Sequence, residues 1–162
     1  MILIVGLGNP DKEYERTRHN VGAYLVEKLK SKKEKGVVWT KTKTFMNNSG
    51  KAIQALMKYY KAKPENLFVI HDDIDLPLGK IKFSRNRGSG GHKGIESIIQ
   101  ELKTKDFNRI RIGVCPEKGK PKTLEKFVLQ NFTKEENEIL KQVFQITASE
   151  ITKITNQKAE VK

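Results

Sequence analysis

Two short apolar runs set the limits on the fold. ILIVGL at 2–7 breaks off into Gly8 and Pro10, and NLFVI at 66–70 breaks off into HDD. Runs this brief, rich in aliphatic and β-branched residues and stopped this sharply, read as buried strands. Between and beyond them the pattern changes period. After Asn20 the residues Val21, Leu25 and Leu29 recur every four positions, which predicts a helix capped by Asn20 and running to the lysine cluster around Lys33. GVVWTKT (36–42) is a second strand, and FMNNSGKAIQALMKYYKA (45–62) turns into a helix. KIKFS (80–84) alternates like a strand, a glycine-rich turn leads into a helix over 94–103, and FNRIRIGV (107–114) alternates with its arginines on one face. Thr133 and Glu136 form a capping box for a last helix over about 133–158, with Leu140, Phe144, Thr147, Ile151 and Ile154 along one side.

Strands alternating with helices predict an α/β fold: one domain over 1–162, built on a twisted, mixed but largely parallel sheet with helices packed on both faces. A chain of 162 residues buries about two-thirds of the surface its unfolded form exposes, enough for a core and a recessed site. In such sheets the ligand crevice lies beyond the carboxyl ends of the strands, which brings Asn9, the loop after VVW, and HDD together. No run approaches the roughly 18 apolar residues of a membrane span, and MILIVGLGNP carries no basic leader, so the expectation is a soluble, cytoplasmic protein. The single cysteine, Cys115, rules out an internal disulfide and reads as a structural thiol.

Charge is segregated. The net charge is +13, yet Lys35–Pro64 holds seven lysines and no acid, and Leu76–Ile95 holds five basic residues and no acid. Stretches of this kind suit a polyanion, because lysines beside phosphates release counterions. An anionic membrane surface fits less well, since no basic amphipathic helix with exposed aromatics stands out.

The chemistry-bearing residues gather in loops. His19, His71 and His92 each lie in or beside a polar loop. A carboxylate at the end of the HDD strand can fix the tautomer of an imidazole and raise its basicity, and His19 is the histidine best placed to meet it. GLGNPDK departs from a dinucleotide fingerprint, because Asp11 occupies the third glycine's place. GSGGHKG (88–94) departs from a Walker motif, because Gly94 follows Lys93, although its glycines allow close backbone approach to a phosphate or substrate. His71, Asp72, Asp73 and Asp75 could form a metal site only through an irregular turn, since adjacent strand residues point to opposite faces. A serine hydrolase is disfavoured by the lack of a Gly-x-Ser-x-Gly elbow.

Five stretches in order, IVGLGNPDKEYERTRHNVG, TKTFMNNSGKA, HDDIDLPLGKIKF, GSGGHKGIESII and FNRIRIGV, resemble the motifs of bacterial peptidyl-tRNA hydrolase from residue 4 to about 114. The resemblance implies hydrolysis of the ester between a peptide and the terminal ribose of tRNA, without metal or organic cofactor; a monomer is expected because no sustained apolar heptad or exposed apolar stripe is visible. The resemblance makes His19 the catalytic histidine and Asp72 its carboxylate partner. Asn9 and Asn47 would line the site, Tyr14 and Met46 would shape the crevice, and Arg111 would grip a tRNA phosphate. Lys82 and Arg85 are added to that grip from local charge alone. The chain departs from the family where GGHNG becomes GGHKG, placing Lys93 where an asparagine binds substrate or water. A cationic side chain cannot replace an amide that both donates and accepts. It would reach a phosphate or lower the pKa of the histidine. The second basic residue of the family's phosphate grip falls at Ser84, with Arg85 adjacent. A short segment before VVWTKT implies a trimmed sheet edge. These changes keep open an alternative, a tRNA- or RNA-binding relative with weak or absent hydrolase activity.

Overall fold

A computed structural model describes residues 1–30 and 34–161. Five strands form one sheet: β1 (Ile2–Gly6), β2 (Val37–Lys41), β3 (Leu67–Pro77), β4 (Ile81–Arg85) and β5 (Asn108–Cys115), in the order β2-β1-β3-β5-β4. The first four neighbours run parallel, and β4 is an antiparallel edge strand on β5. The helices are α1 (Val21–Leu29), α2 (Ser49–Tyr60), α3 (Lys93–Leu102), α4 (Leu124–Val128) and α5 (Lys134–Glu160). No helix among the described residues is long and apolar enough to cross a membrane.

Two-residue alternation divides the strands between two cores. Ile2 and Ile4 of β1, Phe68 and Ile70 of β3, and Ile110 and Ile112 of β5 pack with Val21 and Leu25 of α1 and with Leu140, Val143 and Ile151 of α5. Leu3, Val5, Leu67 and Val69 face the other way, onto Ile53 and Met57 of α2 and Ile95 and Ile98 of α3. Each fully buried aliphatic side chain contributes about 1.5–3 kcal/mol by leaving water. The central position of β1 and β3 explains why both read as continuous apolar runs.

The start of α1 is pressed onto the sheet. A Cβ on Gly22 would sit 2.1 Å from the Ile70 carbonyl oxygen, and one on Gly6 2.2 Å from that of Gly22. Only glycine allows this approach, which fixes the residues just before α1 over the carboxyl end of β3.

Two of the sequence expectations need correction, at Asn20 and at α4, and a third lies partly outside the described residues. Asn20 occupies the position before α1, but its side chain makes no cap and is used elsewhere. The helix is described to Leu29, and its expected extension through 31–33 lies outside the described residues. The helix α4 has no counterpart among the predicted elements. The capping box of α5 is present, with Thr133 Oγ1 accepting from the Glu136 amide and Glu136 Oε1 accepting from that of Thr133.

Candidate active site

Beyond the carboxyl ends of β1 and β3 opens a crevice of about 440 Å³ lined by Asn9, His19, Met46, Asn47, Asp72 and Lys93 among others. At its centre Asp72, only 3 % exposed, is held by two histidines that arrive from opposite faces of the sheet. His19, just before α1, places Nδ1 2.9 Å from Asp72 Oδ2. His92, just before α3, places Nε2 2.8 Å from Asp72 Oδ1.

The hydrogen-bond network assigns the protons. His92 Nδ1 accepts from the Gly94 and Ile95 amides, capping α3, so its ring proton is on Nε2 and is donated to Asp72. His19 donates through Nδ1 to the other carboxylate oxygen, which leaves its Nε2 lone pair as a base. Burial alone would push His19 down, but the charge and hydrogen bond of Asp72 outweigh it and raise the imidazole above 6.5, while Lys93 pulls weakly the other way. Burial opposes ionisation of Asp72, but the two histidines hold its carboxyl well below the usual range. His71 behaves differently: fully buried, with Nδ1 donating to the Asp72 carbonyl, it is pushed down to about 3, chiefly by burial, and is a neutral ring edge-on to His92.

Asn9 is clamped. Its amide donates to Asn20 Oδ1 and its carbonyl accepts from Asn20 Nδ2, both at 2.9 Å. Its own Oδ1 accepts from the Met46 amide at 2.9 Å, so the Asn9 Nδ2 group remains as the donor. Asn47 is exposed on the same rim, and Met46 is buried beside it. Tyr14 stands edge-to-face with Phe45, and of this pair it is Phe45 that lines the crevice.

The cations separate into groups. Arg111, 5 % exposed, donates to Asp73 Oδ2 at 2.7 Å and to Ser84 Oγ at 3.2 Å. Lys82 pairs with Arg111 across β4 and β5, on the same face and exposed. Arg85, three residues beyond Lys82 and so on the opposite face, is bound to Asp106 at 2.7 Å. Lys93 Nζ lies 3.4 Å from Glu125 Oε1 on α4. Arg109 is almost wholly buried, with Nη2 donating to the carbonyls of Arg87 and Gly88; burial first, then the neighbouring arginines, lowers it to about 10. It thereby fastens the glycine-rich loop that carries His92.

The four residues weighed for a metal diverge: Asp72 meets the histidines, Asp73 meets Arg111, and Asp75 meets Lys120, across an irregular stretch of β3. A different trio, His19, Asp72 and His92, has ligand atoms within 4.8 Å of one another. A divalent ion there would have to displace the protons on His19 Nδ1 and His92 Nε2 that already satisfy Asp72. His92, Arg109 and Phe45 line the crevice, and Asn20 holds Asn9 there, although the sequence motifs gave the first three no role and Asn20 only that of a helix cap. The single available signal was His92 at the start of a helical pattern, where a polar acceptor caps.

Comparison with known proteins places the chain in a family. The protein-family model "Peptidyl-tRNA hydrolase" matches residues 3–162. The peptidyl-tRNA hydrolase of Aquifex aeolicus is 43% identical over 87% of this chain and 83% of its own. That of Thermodesulfovibrio yellowstonii is 41% identical over 97% and 94%. The crystal structure of the Acinetobacter baumannii peptidyl-tRNA hydrolase is 28% identical, with a TM-score of 0.84 over 99% of this chain and 91% of that one. The chain therefore belongs to the peptidyl-tRNA hydrolase family.

Proposed function

We propose that this chain hydrolyses the ester joining a peptide to the 3'-terminal ribose of tRNA, with His19 as general base and Asp72 as the group that orients and polarises it. One observation carries the reading: the 2.9 Å bond from His19 Nδ1 to Asp72, which leaves Nε2 free in the crevice. A water gives its proton to His19 Nε2 as its oxygen attacks the ester carbonyl carbon. The tetrahedral oxyanion then collapses, the bond to the ribose oxygen breaks, and His19 returns the proton to that oxygen. The products are a peptide carboxylic acid and tRNA with a free terminal hydroxyl.

Asn9 Nδ2, left unpaired by the Met46 contact to its oxygen and held by Asn20, is the donor best placed for the oxyanion. Asn47, Met46 and Tyr14, the last through Phe45, shape the peptide side. Arg111 and Lys82 form the tRNA phosphate grip. Arg85 stands outside it, on the other face of β4. All these groups come from one chain, and the proposed active form is a monomer working in the cytoplasm on peptidyl-tRNA.

The test is single-turnover cleavage of an N-blocked aminoacyl-tRNA. The parent protein should cleave it with a chelator present, and His19→Ala should lose about 10²–10⁴-fold. Near-parental cleavage by His19→Ala would overturn the assignment. Binding without cleavage by the parent would make the chain a tRNA-binding relative.

A further inference from the structure

We infer that Lys93 makes this site read the charge of the peptidyl group, favouring an acidic side chain on the residue esterified to tRNA. The inference rests on the hydrolase reading above. Lys93 opens α3 immediately after His92, the histidine bonded to Asp72, and its side chain lines the crevice. The next residue, Gly94, is pressed against Met46: a Cβ there would meet Met46 Sδ at 2.6 Å. Lys93 thus lines the same crevice as the Met46–Asn47 turn, with α4 and its Glu125 on its other side. The proposed phosphate grip, Arg111 and Lys82, is built on other elements, β5 and β4.

A carboxylate already shows where an anion fits. Glu125 Oε1 lies 3.4 Å from Lys93 Nζ, and both side chains are largely exposed, at 81% and 63%. An ion pair that open is weak and exchangeable. An incoming aspartyl or glutamyl carboxylate can take Glu125's place at the ammonium, whereas an amide or aliphatic side chain has no charge to offer it. The carboxylates nearest Lys93 are Glu125, its partner, and Glu96 in the same first turn of α3. Those deeper in the crevice are already engaged, Asp72 by His19 and His92, Asp73 by Arg111 and Asp75 by Lys120.

The test compares N-acetyl-glutamate and N-acetyl-glutamine esterified to the same tRNA, at low and moderate salt. The parent protein should favour the glutamyl ester in kcat/KM by about two- to fivefold, the size expected of an exposed ion pair, and the preference should fade with salt. Lys93→Asn should bring the ratio to about one, and Glu125→Gln, by freeing Lys93, should raise it. Any effect of Lys93 on the basicity of His19 acts on both esters and cancels. A ratio unchanged in Lys93→Asn would overturn the inference. So would an equal loss on both esters with a shallower salt dependence, which would make Lys93 a tRNA phosphate contact. The same ratio is read without turnover from competitive binding of the two esters to His19→Ala. If the parent cleaves neither ester, a retained binding ratio supports charge reading while refuting hydrolysis, and equal binding overturns it.

Discussion

Arg18 Nη2 lies 2.7 Å from Glu136 Oε1, a residue 118 positions further along the chain and the same side chain that closes the capping box of α5. Arg18 also donates to the Phe127 carbonyl and stacks over the Phe127 ring at 3.8 Å. One side chain thus ties the segment bearing His19 to the last two helices. Removing one partner of a buried pair leaves an uncompensated charge, so Arg18→Ala should cost about 3–5 kcal/mol in urea unfolding. The double variant Arg18→Met with Glu136→Met should recover part of that loss. A cost for Arg18→Ala below about 1 kcal/mol would show that the contact does not anchor the segment.

Asn20 should matter more for catalysis than its place outside the reacting groups suggests. Its amide holds both backbone groups of Asn9. Asn20→Ala should lose roughly 1–3 kcal/mol of stability for two hydrogen bonds. It should also lower kcat more than it raises KM, because the Asn9 donor loses its fixed position. Asn20→Asp keeps the acceptor for the Asn9 amide but not the donor to the Asn9 carbonyl, and should fall between the two. Steady-state kinetics beside thermal melts would separate these effects.

The rate should rise with pH along the titration of His19, since the deprotonated ring is the base. Burial lowers that pKa but Asp72 raises it further, so the midpoint of kcat/KM should lie above 6.5. Asp72→Asn removes the raising influence and leaves burial, so the midpoint should drop below 6.5 as the rate falls about 10²–10⁴-fold. Lys93→Met removes a cation that lowers the pKa and should move the midpoint up. The stability sign is opposite to that of the rate. The folded state binds this proton more tightly than the unfolded chain, so the pair's contribution is full below 6.5 and is lost as pH rises through the folded value. A midpoint unmoved by Asp72→Asn would contradict the coupling.

Lys82 and Arg85 are close in sequence and should differ in tRNA binding. Lys82 shares the Arg111 face, whereas Arg85 is bound to Asp106 on the other. Lys82→Ala should weaken tRNA binding and reduce the slope of log K against log salt by about one, whereas Arg85→Ala should leave the slope unchanged. Equal slopes for the two variants would place the phosphate grip elsewhere.

The sequence by itself determined the class of fold, the identity of the strands and the location of the crevice. Ile2–Leu7 and Leu67–Ile70 are apolar on both faces because they run through the centre of a covered sheet, and the box at Thr133 and Glu136 is a contact within one turn. Such features are local or periodic, and periodicity reports which side of an element is buried. Only the tertiary structure decided that Asp72 serves two histidines, that Asn20 clamps Asn9 rather than capping α1, and that Arg109 fastens the loop before His92. These contacts join residues far apart in the chain, and those of Asp72 bring in elements from opposite faces of the sheet. They depend on how closely the start of α1 packs onto β3 at Gly22 and that of α3 onto Met46 and Leu7 at Gly94, distances that no pattern along the chain encodes.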